Sequence, residues 1–275
     1  MNVTSLQDTG PRLLIHHGQC RPGGFYRFPT ELCSGEAEKD MVLTTSMCSE
    51  ALAYFGDILG DMLKGLPVTI SELTILLHPV PKYGQLIAGP YSGIKSQLPH
   101  NVFRITCPRP SSNVPGEMVT ESWIIDATGA QFNILTTCLE EEKYMSRYVQ
   151  KLTSVNPAGI AKTMYNELSA SAGLPGLHHL QRQLSAKSSQ TGIARWKSTS
   201  SLTLPSLLRL PEKEYCAATE KLLDMVRKEL KMFTLLWDKK KEVDVLLKLP
   251  TEVHIRHHEE GMRVFDKYGR MGMVE

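Results

Sequence analysis

Between Met41 and Pro67 the apolar residues Leu52, Phe55, Ile58, Leu59, Met62 and Leu63 recur at intervals of three and four. That spacing predicts an amphipathic helix, ended by Gly65 and Pro67 and preceded by the competent caps Thr44, Thr45 and Ser46. The pattern then shortens. Residues 73–78 (LTILLH) predict a strand closed by Pro79 and Pro81, and two more β-prone runs follow, 102–107 opening just after His100 and 122–125 ending at Asp126. A proline-broken loop joins these last two. If 100–107 pairs antiparallel with about 119–126, the far ends meet and His100 lies beside Asp126.

The flanks are less regular. Residues 1 to about 40, with Pro11, Pro22, Gly23, Gly24, Pro29 and Gly35, predict an irregular arm or a short edge strand, and residues 82–99 a loop or lid leading into His100. His16 and His17 are neighbours, so in a strand they point to opposite faces and do not share a metal. Beyond Thr137 the segment CLEEEKYMSRYVQKL predicts a helix with a solvated charged face, acids first and bases later. Residues 157–183 predict a helical pair broken at Gly173 and Gly176, with His178 and His179 exposed. Residues 184–206, rich in Ser, Thr and Lys apart from Trp196, predict a flexible linker.

A last and longest helix is expected from Pro211 to Leu247, with Leu222, Val226, Leu230, Phe233 and Trp237 forming a stripe that needs a partner surface. Its own chain, a second copy or another protein would each supply one. The tail HIRHHEE, with His254, His257 and His258, reads as a solvated turn rather than a metal site. The expected organisation is a core with an N-terminal arm over 1–150, a helical extension over 151–183, the linker over 184–206, and a C-terminal helix and tail over 207–275.

Composition narrows the function. With 275 residues, 41% hydrophobic and 22% charged, the chain is long enough for one sizeable core, and a net charge of +2 gives no basic excess for nucleic acid. No apolar run reaches a membrane-spanning length, and MNVTSLQDTG lacks a signal-peptide layout, so a soluble cytoplasmic protein with no membrane partner is expected. The six cysteines have no CxxC spacing and read as free thiols, with neither metal nor other cofactor implied.

One of them is placed for chemistry. Cys48 falls in the first turn of the predicted helix, where unsatisfied amides and the helix dipole favour a thiolate. His100 beside Asp126 is the base and orienter of a nucleophilic triad. His78, ending a strand before Pro79, competes with His100 as the base. The plainer readings are a small buried cysteine, a surface histidine and a strand-ending aspartate in a turn.

The order Cys48, His100, Asp126 resembles the transglutaminase-like branch of the papain-like cysteine superfamily, over residues 41–150. WIIDATGAQF is similar to the strand-Asp-x-Thr segment of that family, and Val102, Phe103 and Ile105 follow the histidine as its members' apolar residues do. Family members carry Gly two positions before the cysteine and an aromatic after it, where this chain has Ser46 and Ser49. The resemblance implies an α+β fold, a Cys-bearing helix packed on an antiparallel sheet with added C-terminal helices. It also implies acyl transfer or amide hydrolysis through a thioester: Cys48 attacks, His100 moves the proton, Asp126 holds the ring. The substrate would bear an amide or ester, a peptide or protein among the options. The Cys48 backbone amide is one oxyanion donor, a second is not identifiable, and Gln131 and Thr128 lie close enough after Asp126 to support it. The alternative is a non-catalytic interaction protein that keeps this scaffold and binds a partner through its C-terminal helix.

Overall fold

The structure is a computed structural model describing residues 2–18, 25–87, 99–111, 117–269, 271 and 273. It is an α+β protein in two compact units, one formed by Met1–Ala53, Pro67–Ala161 and Gly269–Glu275, the other by Tyr54–Leu66 and Lys162–Tyr268. No described helix is long and apolar enough to cross a membrane.

The first unit is built on two sheets. Strands β1 (Val3–Asp8) and β2 (Arg12–His17) pair antiparallel, and β4 (Tyr83–Ile87) adds to β2 in parallel. The expected N-terminal arm is therefore partly sheet. Its alternation is real but short: Leu13 and Ile15 point inward, fully buried with Met41 and Val42 of α1 (Glu36–Thr44), a helix the sequence pattern did not predict. Of the expected loop over 82–99, residues 83–87 are β4, and residues 88–98 lie outside the described residues.

The second sheet carries His100. Its order is β7-β6-β5-β3-β8, every neighbour antiparallel, with β3 Thr69–Leu77, β5 Pro99–Pro110, β6 Met118–Ile125, β7 Cys138–Glu140 and β8 Val149–Pro157. Leu73, Ile75, Leu77, Val102, Ile124, Phe132, Ile134 and Tyr144 make its core. The charged segment after Thr137 is helix only over α3 (Glu141–Tyr148) and then becomes β8, where Val149, Leu152 and Val155 pack on that core, their three-residue steps brought onto one face by register shifts against β3 that leave Gln150 and Thr153 as extra residues. Glu72 is buried in β3, and its carboxylate accepts the Gly159 and Ala161 N–H groups at 2.6 and 2.8 Å, at the start of α4 (Ile160–Ala170).

The β5–β6 register differs from expectation by two residues. Phe103 faces Ile125 and Arg104 faces Ile124, so β6 stops opposite Phe103 and the ladder never sets Asp126 directly across from His100. A two-residue shift keeps every side chain on its expected face. The meeting of His100 and Asp126 is therefore diagonal, made by the turn that follows Ile125.

Helix α2 (Cys48–Met62) begins in the first unit and continues into the second. In the second unit, the Ser- and Thr-rich stretch expected to be a flexible linker is instead most of α5 (Gly173–Ser200). Its hydroxyls account for this. Those of Ser185, Ser189, Thr191 and Ser200 bond back to the carbonyls of Gln181, Ser185, Lys187 and Trp196, so the polar side chains are satisfied without leaving the helix. Trp196 is buried among Ile193, Leu204 and Leu207, with α6 (Leu204–Leu207) capped by Thr203. At Gly192 a Cβ would come 2.7 Å from the Val226 Cα, so glycine lets α7 (Glu212–Leu236) approach. The expected single helix to Leu247 breaks at the extended Trp237, and α8 (Lys240–Leu246) follows. The HIRHHEE tail lies within α9 (Thr251–Gly269) rather than in a turn.

Candidate functional site

His100 is fully buried near the start of β5, where only β3 pairs with it and its partner is Ile75. Its Nε2 lies 2.9 and 3.0 Å from the two carboxylate oxygens of Asp126, itself 1% exposed. A carboxylate only accepts, so Nε2 carries the proton and donates it, which leaves Nδ1 to face the thiol. The edge of the Phe132 ring packs against the imidazole with 4.9 Å between centroids, fixing the ring plane.

The segment after β6 is folded around the acid. The Asp126 N–H donates to the Thr137 carbonyl, and the Thr128 N–H donates to Asp126 Oδ1 at 3.2 Å. A 3-10 turn, Gly129–Phe132, follows. Gly129 touches the carboxylate so closely that a Cβ there would sit 2.5 Å from Asp126 Oδ2. The Tyr144 hydroxyl in α3 completes the shell, donating to Asp126 Oδ2 at 2.7 Å from a nearly fully buried ring. Burial, and then the neighbouring Asp126 charge, hold the Tyr144 hydroxyl protonated far above the usual phenol range.

Gln131 ties this turn to the cysteine. Its Nε2 donates to the Thr128 carbonyl at 3.1 Å, while its Oε1 accepts the Ser46 N–H, also at 3.1 Å, from a side chain 4% exposed. Ser46 has φ 63°, the left-handed region that favours glycine. That backbone turn redirects the chain from α1 into α2. Ala51 N–H bonds to the Met47 carbonyl, which puts Cys48 in the first turn of α2 as the sequence predicts.

Cys48 is half-buried against the His100 ring. Burial pushes its thiol up. The His100 ring, the Asn101 backbone N–H and Ser49 outweigh that and hold it below the ordinary thiol value. Burial likewise favours the neutral imidazole, but Asp126 and then the Cys48 sulfur raise His100 to about 9. Nδ1 makes no hydrogen bond among the described residues, and each of the two groups favours the charged form of the other. The Asn101 side-chain amide also reaches this point, 3.6 Å from Cys48 Sγ and 2.7 Å from Ser49 Oγ.

The structure thus brings Cys48, His100 and Asp126 together. His78 is exposed at the end of β3, its N–H bonded to the Tyr148 carbonyl, and it is not among the groups acting on Cys48. Cys33, Cys48, Cys107, Cys138 and Cys216 are free thiols, and Cys20 lies outside the described residues. Tyr144, Phe132 and Asn101 escape the sequence reading. Tyr144 is the large aromatic inside an otherwise charged helix, and Asn101 is a polar residue interrupting an apolar strand; those are the signals that mark them. Among the described residues, no three His, Cys, Asp or Glu side chains converge as metal ligands. No protein-family model, curated protein or solved structure matches the chain, so its residues and their geometry carry the functional reading.

Proposed function

We propose that this protein catalyses cysteine-dependent acyl transfer or amide hydrolysis through Cys48, His100 and Asp126, on a core of the transglutaminase-like, papain-like kind. One observation carries the reading: a buried imidazole bonded through Nε2 to a carboxylate presents its other face to a half-buried thiol at a helix start. A helix bearing the cysteine, followed by a histidine on one strand and an aspartate just past the end of the adjacent antiparallel strand, supports the family resemblance.

The chemistry follows. The Cys48 thiolate attacks the carbonyl carbon of an amide or ester, an S–C bond forms and the carbonyl electron pair moves to oxygen. As that pair returns, the bond to the leaving amine or alcohol breaks and the imidazolium Nδ1–H protonates the leaving atom. A thioester on Cys48 and a neutral His100 remain. His100 then takes a proton from water, giving hydrolysis, or from an amine, giving a new amide, and Cys48 departs as thiolate. Asp126 accepts the Nε2–H throughout and stabilises the charged ring.

Residue-resolved alkylation with iodoacetamide near neutral pH tests this. Cys48 is expected to react ahead of the other cysteines, and His100→Ala to slow it. Equal reactivity of all six thiols would sink the enzyme reading. A scaffold that binds a protein partner is the second reading, favoured by α7, where Leu235 and Leu236 are 70% and 75% exposed. Under that reading, Leu235→Asp with Leu236→Asp abolishes partner capture, while Cys48→Ala changes nothing.

A further inference from the structure

Acyl transfer needs two donors for the oxyanion, and α2 supplies one, the Cys48 N–H in its first turn. We propose that the side-chain amide of Asn101 is the second. The inference rests on the acyl-transfer reading above and adds a substrate-touching group to it.

Three features of the site support the assignment. Asn101 stands on β5 beside His100, beyond the end of β6, where it pairs only with Thr74 of β3, so its backbone is held rigidly while its side chain is free to face α2. Its Nδ2 donates to Ser49 Oγ at 2.7 Å, which fixes the plane of the amide. The same nitrogen donates to Cys48 Sγ across 3.6 Å, a weak bond to sulfur that already aims the donor at the atom to which the acyl carbon will attach. An oxygen on a carbon newly bonded to that sulfur falls within about 2.7–3.1 Å of such a donor. The opposite orientation of the amide would aim its carbonyl oxygen at a thiolate, lone pair against negative charge. The half-buried setting strengthens the donor's effect on a developing charge.

The resulting division of labour is specific. His100 and Asp126 govern the proton, and the Asn101 backbone N–H helps hold the thiolate, whereas the Asn101 side-chain amide, bonded only weakly to the sulfur, acts chiefly on the tetrahedral oxygen. Two probes separate them. Iodoacetamide alkylates a thiolate by displacement at a saturated carbon and forms no oxyanion, while p-nitrophenyl acetate acylates it through one. With the full chain, single-turnover release of p-nitrophenolate is followed by stopped flow, the Cys48→Ala protein supplying the background, and Cys48 alkylation is followed by mass spectrometry.

Asn101→Ala is expected to slow acylation by about 10²- to 10³-fold. Alkylation should stay within about threefold of the parent rate. Asn101→Asp, which keeps the shape and removes the donor, is expected to lower acylation relative to alkylation in the same direction. Equal losses in the two reactions would assign Asn101 to the thiolate and overturn the proposal. So would unchanged acylation. If the parent protein is not acylated above the Cys48→Ala background although its Cys48 alkylates ahead of the other thiols, the acyl-transfer reading itself has failed, and this role for Asn101 with it.

Discussion

Tyr144 donates its hydroxyl to Asp126 Oδ2 over 2.7 Å, so the carboxylate beside His100 is held from α3 as well as from its own turn. Tyr144→Phe leaves the ring packing intact and the buried carboxylate one donor short. A cost of about 1–3 kcal/mol in urea unfolding is expected. Acylation by p-nitrophenyl acetate should fall about tenfold as Asp126 loses its orientation. An unchanged unfolding curve would show that the hydroxyl contributes nothing to holding Asp126.

The opposite shifts of Cys48 and His100 set a pH window. Cys48 is held below the ordinary thiol value, so its thiolate forms as pH rises through that lowered point; His100 is raised to about 9, so the ring stays charged until then. Acylation should therefore rise on the acid side, hold a plateau, and decline as pH passes through about 9. Burial raises Cys33 and Cys138 instead, so in a pH series of alkylation they should lag behind Cys48. The sign for stability agrees. The folded ring binds its proton more tightly than the free one, so its contribution is complete below the ordinary 6.5 and lost as pH rises through about 9.

Ser46 holds a left-handed backbone that costs a non-glycine residue about 1–2 kcal/mol. Its N–H, not its side chain, meets Gln131. Ser46→Gly is expected to keep that bond and raise thermal stability by about 2–4 °C. Ser46→Val should lower it and slow Cys48 alkylation, because the turn that aims α2 would relax. A lower melting temperature for the glycine variant would contradict this.

Gly129 lies against Asp126, where a methyl group would sit 2.5 Å from Asp126 Oδ2 and 2.8 Å from the Ile134 carbonyl. Gly129→Ala must push one of them aside, at about 1–3 kcal/mol of overpacking. We expect acylation to drop at least about tenfold. Parent-like acylation and stability together would mean that the turn is softer than its contacts imply.

How much of this was legible beforehand differs element by element. Apolar spacing alone placed α2, and with it Cys48 in a first turn, because one helical face must be buried wherever the helix lies. The end of β6 just before Asp126 was equally local, since the β-prone run stops at Ile125. The linker failed for an opposite reason: serine and threonine look disordered by composition, yet their hydroxyls close on the preceding turn of α5, and Trp196 anchors it.

What the chain alone determined was which residues have the chemistry and which face of its strand each occupies. Only the folded structure decided that β5 and β6 pair two residues away from the simplest register, so that His100 and Asp126 meet across a turn. It also decided that Gln131 clasps Ser46 and that Asn101 stands over the sulfur. Periodicity records the direction in which a side chain points. Distances between segments 85 and 53 residues apart are set by packing, and packing depends on every neighbour at once.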